Sequence, residues 1–278
     1  GKKAIKIAKE LGIPVSTGFH FLAENLSSHV FLKNSKLTNK IVYDYFHSVY
    51  KECDAVHYPT QYLRDLNESM YGATNGYVIS NGVNDRFHPE KVEMPADGLI
   101  RIVYTGRYSR EKSHKVLIEG VAKSVYKDKI KLILAGDGPL KENIAKQIEE
   151  TGINAEMNFF SRDDMVKILN QAYLYVHAAE IEAEGISCLE AIACGTVPII
   201  CNSDKCATKS YALCPESLFE KGNSEDLANK IDWWIDHPEK RAEYSKKYAD
   251  FAGEDLCQEK CMRKMEKMLI ETAEKFKK

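Results

Sequence analysis

The 278 residues contain no apolar run near the roughly 18 to 20 residues needed to span a bilayer, and no charged, apolar, small-residue leader opens them. No long block carries one sign of charge. Lys plus Arg total 39 against 41 for Asp plus Glu, a formal net charge of −2, so nucleic acid is excluded as the main partner. The eight cysteines include no Cys-x-x-Cys pair. Cys188, Cys194, Cys201, Cys206 and Cys214 lie in or beside apolar segments, and Cys257 and Cys261 are a helical turn apart, so they read as reduced, mostly buried thiols and not as a disulfide framework or a zinc site. These absences set the expectation of a soluble protein in a reducing compartment, the cytoplasm. An initiator Met is also missing, and GKKAIKIAKELGIPVSTGF reads as a helix running into a strand, as though entered halfway through an alternating pattern. The chain is expected to be a fragment.

What is present falls into two blocks. In the first, residues 13–19, 53–60 and 76–83 have strand character, the last ending in an Asn-Gly turn. A helix is expected over 35–50, with apolar residues at Leu37, Ile41, Tyr45 and Val49, and another over 61–70. The stretch HPEKVEMPADG, residues 88–98, is polar, has two prolines and no periodicity, and reads as an interdomain linker. The second block alternates regularly: LIRIVYTG, KIKLILAGDGP, AEMNFF, AYLYVHA and TVPIIC as strands, with helices near 111–125, up to 151, 163–170, 185–194 and 225–236, then helix to the end. Near-continuous apolar strands separated by helices indicate α/β structure with a parallel, doubly wound sheet. Right-handed crossovers then place every strand-to-helix loop on one edge, where such sheets bind ligands.

Several of those loops suit an anion. In TGRYSREKS, Arg107 and Lys112 stand around a strand-to-helix turn, where a guanidinium fork and an ammonium fit a diphosphate; ordinary surface cations account for them equally well. AGDGP reads as a strand-ending turn with Pro opening a helix, and no Gly-Lys-Ser/Thr follows to make it a nucleotide-kinase phosphate loop. The most unusual stretch is EIEAEGISCLEAIACG, residues 180–195, with three carboxylates in five residues and a fourth, Glu190, inside an apolar helical run. Placed after the strand AYLYVHA, residues 180–184 form a loop at the ligand edge. Gly185 opens a helix whose free amides can face an anion. Ile186, Leu189, Ile192 and Ala193 make its buried stripe, which holds Glu190 near the loop, where a carboxylate accepts hydrogen bonds from adjacent hydroxyls such as those of a ribose. Glu182, eight residues earlier, is placed to meet a second polyol. The plainer alternative is an acidic first turn that complements the helix dipole.

Taken together, these residues resemble the family 4 (group 1) retaining glycosyltransferases of GT-B fold. Glu182 and Glu190 match the E-x7-E signature, accompanied in order by ISNGV, TGRYSREK, LILAGDGP, NFF and LEAIACGTVPII, so the resemblance covers essentially the whole chain. It implies two Rossmann-like domains facing a cleft, the N-terminal one incomplete: residues 1–90 a partial acceptor-side domain, 91–98 a linker, 99–252 a sugar-nucleotide-binding domain, and 253–278 a C-terminal helix returning toward the first. It implies transfer of a hexose, with retention, from a nucleotide diphosphate sugar, a UDP-sugar foremost, to a saccharide or lipid-linked acceptor, without cofactor or metal. No Asp-x-Asp pair is present. By the same resemblance Arg107 and Lys112 bind the diphosphate, Glu190 the ribose, and Glu182 faces the transferred sugar, while the amides near Gly185, Ile186 and Ser187 support sugar and phosphates. His20, in STGFHFLAEN, matches a histidine near the acceptor and the reacting sugar, with Glu24 and Asn25 lining the same cleft.

Departures from the family pattern are also legible. The first block is about half the usual acceptor domain. Ser113 stands where Gly often follows the Lys, Ser161 where Gly commonly follows Phe, and residues 202–215 lack a glycine pair. The helix near 33–51 mixes Lys33, Lys36, Lys40 and Lys51 with Phe31, Leu32, Ile41, Tyr43, Tyr45 and Phe46. Such a mixture suits docking on an anionic membrane, at its inner face, or aromatics packed in the core with solvated lysines. Besides a transferase, a sugar-nucleotide epimerase on the same fold and a non-catalytic or truncated sugar-nucleotide-binding module remain open.

Overall fold

The computed structural model describes residues 1–25 and 36–277. They form two compact units, Gly1–Gly82 with Gln258–Lys278, and Val83–Cys257. Phe31, Leu32 and Lys33 lie outside the described residues.

In the first unit, α1 (Lys2–Glu10) precedes β1 (Ser16–Gly18), α2 (Lys36–Tyr50), β2 (Ala55–Tyr58), α3 (Gln61–Tyr71) and β3 (Gly76–Val78). The three strands pair in parallel in the order β1-β2-β3. They are shorter than the apolar runs that announced them. Pro14 has no amide to give to a ladder, and the Val15 amide goes to the Asp54 carboxylate at 2.8 Å, so β1 begins only at Ser16. At the other end, Ser80 Oγ accepts from the Gly82 amide at 3.0 Å and turns the chain out of β3. Thr60 caps α3, its hydroxyl accepting from the Leu63 amide.

The face of α2 differs from the sequence expectation. Leu37, Ile41 and Tyr45 are 70, 60 and 62 % exposed, whereas Asn39, Tyr43 and Tyr50 are buried. Positions 39, 43, 46 and 50 share helical spacing just as positions 37, 41 and 45 do. The choice between the faces is made by aromatic packing: Tyr43 and Tyr50 meet Phe19, and Phe46 meets Phe21 with ring centroids 4.3 Å apart. Lys36, Lys40 and Lys51 stay exposed. The C-terminal helix Gln258–Phe276 belongs to this unit, where Cys261 and Met268 bury against Ile79.

The second unit carries a six-stranded sheet of β4 (Ile100–Thr105), β5 (Ile130–Ala135), β6 (Ala155–Asn158), β7 (Leu174–His177), β9 (Val197–Asn202) and β11 (Leu218–Glu220). Its order is β11-β9-β7-β4-β5-β6, every pair parallel. Chain order runs one way through β4, β5 and β6 and then jumps to β7 on the other side of β4. The reversal therefore lies between β4 and β7, the position at which a doubly wound sheet opens a crevice outside its carboxyl ends. β7 is buried along its whole length and β9 at all but its last residue, as expected of strands covered on both faces. Helices α4 (His114–Lys123), α5 (Lys141–Thr151), α6 (Arg162–Gln171), α7 (Ile186–Ala193), α8 (Ser224–Asp236) and α9 (Pro238–Phe251) provide the cover. Ser161 opens α6 by accepting from the Asp164 amide, so a serine at this position serves as a helix cap.

Two features were not anticipated. The loop after β7 contains a short strand β8 (Ile181–Glu182), paired in parallel with β10 (Lys205–Cys206). The polar stretch at 88–98 lies inside this unit, fastened to the end of α6: Asn170 bonds the Glu90 amide and the His88 carbonyl, and Gln171 the Glu93 carbonyl.

Candidate functional site

The loops after β4 and β5 touch through glycine. A Cβ on Gly136 would lie 2.0 Å from the Gly106 carbonyl oxygen, so AGDGP is small because another backbone runs against it. Tyr108 locks the contact, its amide donating to the Asp137 carbonyl at 2.9 Å and its hydroxyl to the Leu134 carbonyl at 2.8 Å. From there a single 3-10 turn, Arg110–Lys112, leads into α4.

Ser113, at that junction, has φ 50° and ψ 39°, the left-handed region, and is the one non-glycine residue with positive φ among those described. A glycine would sit there without strain, which explains why the resemblance pairs this position with glycine. The serine has a use of its own: its hydroxyl donates to Glu180 Oε1 at 3.0 Å. Ser113→Ala keeps the strain and loses the bond, so it should destabilise the second unit by about 1 kcal/mol. Ser113→Gly exchanges a lost bond for relieved strain of about the same size and should fall near the parent. Denaturant midpoints of the two variants check this, and an alanine variant as stable as the parent would remove the role given to the hydroxyl.

The carboxylates after β7 have separate fates. Glu180 receives Ser113 and, at 3.1 Å, the Lys221 ammonium, while its amide donates to the Glu111 carbonyl at 2.8 Å. It ties the two loops at the reversal point together. Glu182 pairs with Lys112: the ammonium donates to Oε2, with 19 and 16 % of the two side chains exposed. Burial is the strongest single influence on the Glu182 carboxyl and pushes it upward, but the Lys112 charge, the His177 ring, the Lys112 hydrogen bond and the Ala183 amide together outweigh it and hold the group below the usual glutamate value. His177, at the end of β7, lies 3.8 Å from the same oxygen, beyond hydrogen-bond range. Both its ring nitrogens are buried without a hydrogen bond among the described residues, and burial lowers it to about 4. Glu184 is 4 % exposed, and its carbonyl accepts from Thr208 Oγ1 at 3.0 Å.

Gly185 then opens α7 with φ 84°, and a Cβ there would lie 2.3 Å from Thr208 Oγ1. The amides of Ile186 and Ser187 belong to the first turn and make no hydrogen bond among the described residues. Ser187 is fixed from behind: its hydroxyl donates to the Thr105 carbonyl at 3.1 Å and accepts from Tyr175 at 3.1 Å. Glu190, one turn on, is half-buried, and its carboxylate has no hydrogen-bond partner among the described residues. Burial raises its carboxyl and the Arg162 charge lowers it, with burial prevailing. The exposed Arg107 guanidinium likewise carries no partner among them. Arg107, Lys112, Glu182, Gly185, Ile186, Ser187 and Glu190 thus all lie on the two connections that leave β4 and β7.

Within the first unit, His20 follows β1 and lies beside Gly18, whose absent Cβ would fall 2.7 Å from His20 Nε2. That nitrogen is 2.8 Å from His57 Nδ1 on β2. Glu24 accepts from the Tyr43 hydroxyl at 2.8 Å, and the Asn25 amide donates to the Leu22 carbonyl at 3.0 Å. Sequence reasoning placed His57 in a strand and gave it no function. The available signal was its position: His57 is in register with Gly18, two residues before His20.

The family model described as glycosyl transferases group 1 matches residues 87–250, more than half of the 278. The chain belongs to the glycosyl transferases group 1 family. This group 1 glycosyltransferase resembles the catalytic domain of a cholesterol-alpha-glucosyltransferase from Helicobacter pylori with 44% identity and a TM-score of 0.54, covering 55% of this chain and 96% of that one. It is 25% identical over 223 residues to the alpha-monoglucosyldiacylglycerol synthase of Streptococcus pneumoniae, a match over 73% of this chain and 49% of that protein. The chain thus spans about half the length of that curated relative. Sucrose-phosphate synthase from Thermosynechococcus elongatus superposes with a TM-score of 0.81 at 17% identity, over 96% of this chain and 70% of that one. That likeness establishes the fold, α/β of the GT-B type. No described helix is long and apolar enough to cross a membrane.

Proposed function

We propose that the protein is a retaining hexosyltransferase of family 4 that moves glucose from a UDP-sugar to a lipid hydroxyl, without cofactor or metal. The observation that carries this reading is the constellation at the reversal point of the sheet. Two cationic side chains and the first-turn amides of α7, unbonded among the described residues, share one edge with a half-buried carboxylate that has no hydrogen-bond partner among those residues. A nucleoside diphosphate satisfies these groups together. The diphosphate meets Arg107, Lys112 and the amides of Gly185, Ile186 and Ser187, the ribose hydroxyls donate to Glu190, and Glu182 faces the sugar. As the glycosidic bond breaks, negative charge grows on the leaving diphosphate, and cations and amides fixed in advance stabilise it without reorganising. His20, with Glu24 and Asn25, belongs to the acceptor side. The lipid acceptor is favoured over a saccharide because two relatives at 25% identity or more, among those compared, have names that pair a glucosyl group with cholesterol and with diacylglycerol.

Calorimetry with UDP, GDP and ADP, with and without EDTA, tests the donor half. Selective binding of UDP, indifferent to EDTA, is the expected result. Glu190→Ala should weaken UDP by about 1.5 to 3 kcal/mol, roughly 10- to 100-fold in Kd, because the ribose loses an ionised acceptor. Unaltered UDP affinity in that variant would remove Glu190 from the site. No binding of any diphosphate by the folded chain would leave only the fold in common with transferases.

A further inference from the structure

The three strands of the first unit end in a chain of hydrogen bonds. His57 Nε2 lies 2.6 Å from the Ile79 carbonyl oxygen, just after β3. His57 Nδ1 lies 2.8 Å from His20 Nε2, just after β1. A carbonyl can only accept, so His57 Nε2 carries the proton. A neutral His57 then has a bare Nδ1, and the proton in the second bond must come from His20 Nε2. That leaves His20 Nδ1 as the lone-pair nitrogen.

His57 is neutral on physical grounds. It is 4 % exposed, and its only polar ring contacts among the described residues are a carbonyl and another imidazole, with no carboxylate to stabilise a cation. Gly18 completes the arrangement, since any side chain there would strike His20 Nε2. His20 itself remains exposed, with Nδ1 unbonded among the described residues.

We infer that His57 is a positioning residue: it fixes His20 as the Nε2–H tautomer, so that His20 Nδ1 offers one lone pair to a hydroxyl of a bound sugar or acceptor. The consequence for transfer rests on the reaction proposed above; the tautomer assignment does not. His20 in this form accepts a hydrogen bond from a hydroxyl and does not donate one to it, so it holds a hydroxyl by its proton. Ile79 serves through its backbone alone, which makes the fixed end of the chain independent of the side chain at 79.

The test has two readouts. Nitrogen NMR of the imidazole rings in this chain should show both His20 and His57 protonated at Nε2 and bare at Nδ1. A proton on Nδ1 of either ring overturns the assignment. In a preparation that supports transfer, His57→Gln, whose amide reaches the Nε2 position and keeps the bond to Ile79, should lower kcat about tenfold with the donor KM unchanged, the loss of one bond made in the transition state. His57→Asn, whose side-chain oxygen reaches the Nδ1 position and still accepts from His20, should recover most of that loss. Unchanged kcat in His57→Gln, or equal losses in both variants, would overturn the positioning role. Failure of the chain to bind any nucleotide diphosphate would instead sink the transferase reading, and the NMR result would stand apart from it.

Discussion

Lys112→Met should destabilise the second unit by about 3 kcal/mol at pH 7 and abolish diphosphate binding, while Lys112→Met combined with Glu182→Gln should regain most of the stability and none of the binding. The single change leaves the Glu182 carboxylate mostly buried and without its cation, beside the Ala183 amide and the neutral His177 ring 3.8 Å away. Breaking a buried pair from one side costs about 3 to 5 kcal/mol, whereas replacing both partners by neutral groups of similar shape is close to neutral. The pH dependence identifies the cause. Without Lys112, burial is the dominant influence on Glu182 and sets its folded pKa above the unfolded one. The penalty is then present above the folded pKa and fades as pH falls below the unfolded value, so the deficit should shrink toward pH 4. Both tryptophans of the chain, Trp233 and Trp234, lie in the second unit, so their fluorescence reports its unfolding. A deficit that ignores pH, or a double variant no better than the single, would show that Glu182 is not held by Lys112.

This pair also shows where sequence reasoning ends. Alternating apolar strands and helices are local signals, and they sufficed for a doubly wound sheet and for the glycine that opens α7. The bond between Lys112 and Glu182 joins residues 70 apart and exists because the sheet order sets β4 beside β7. Both residues could be named as candidates from their loops, but their pairing is a property of strand order. The burial of α2 was illegible for a different reason: two faces have helical spacing, and only aromatic rings supplied by residues 19 and 21 decide between them. His57 carried no local signal, since a histidine in an apolar strand reads as a packed ring until the partner strand is in place. The short strand β8 depends in the same way on β10, more than twenty residues later.

The second unit should also lose stability between pH 7 and pH 5 through two histidines that its core keeps neutral. His114 meets the rings of Tyr104 and Tyr108 edge-on, with centroids 4.8 and 5.0 Å away, and both its nitrogens are buried without a hydrogen bond among the described residues. Burial lowers it to about 4, as it does His177, from an ordinary value of 6.5. The unfolded chain takes up these protons as pH falls through 6.5 and the folded chain does not until about 4, so the unfolded state gains protons first and stability falls with pH. Each ring should account for about 2 kcal/mol between pH 7 and pH 5. Glu182, held below the ordinary glutamate value, adds a loss of the same sign at the acid end, and Glu190, raised by burial, opposes the histidines as it takes up its proton. Phenylalanine fills the space of an imidazole and cannot titrate, so His114→Phe should halve the slope of stability against pH. His177→Phe should do the same. Tryptophan-monitored denaturation at the two pH values measures the slope. A slope unchanged in both variants would mean that water reaches these rings and lets them charge in the folded protein.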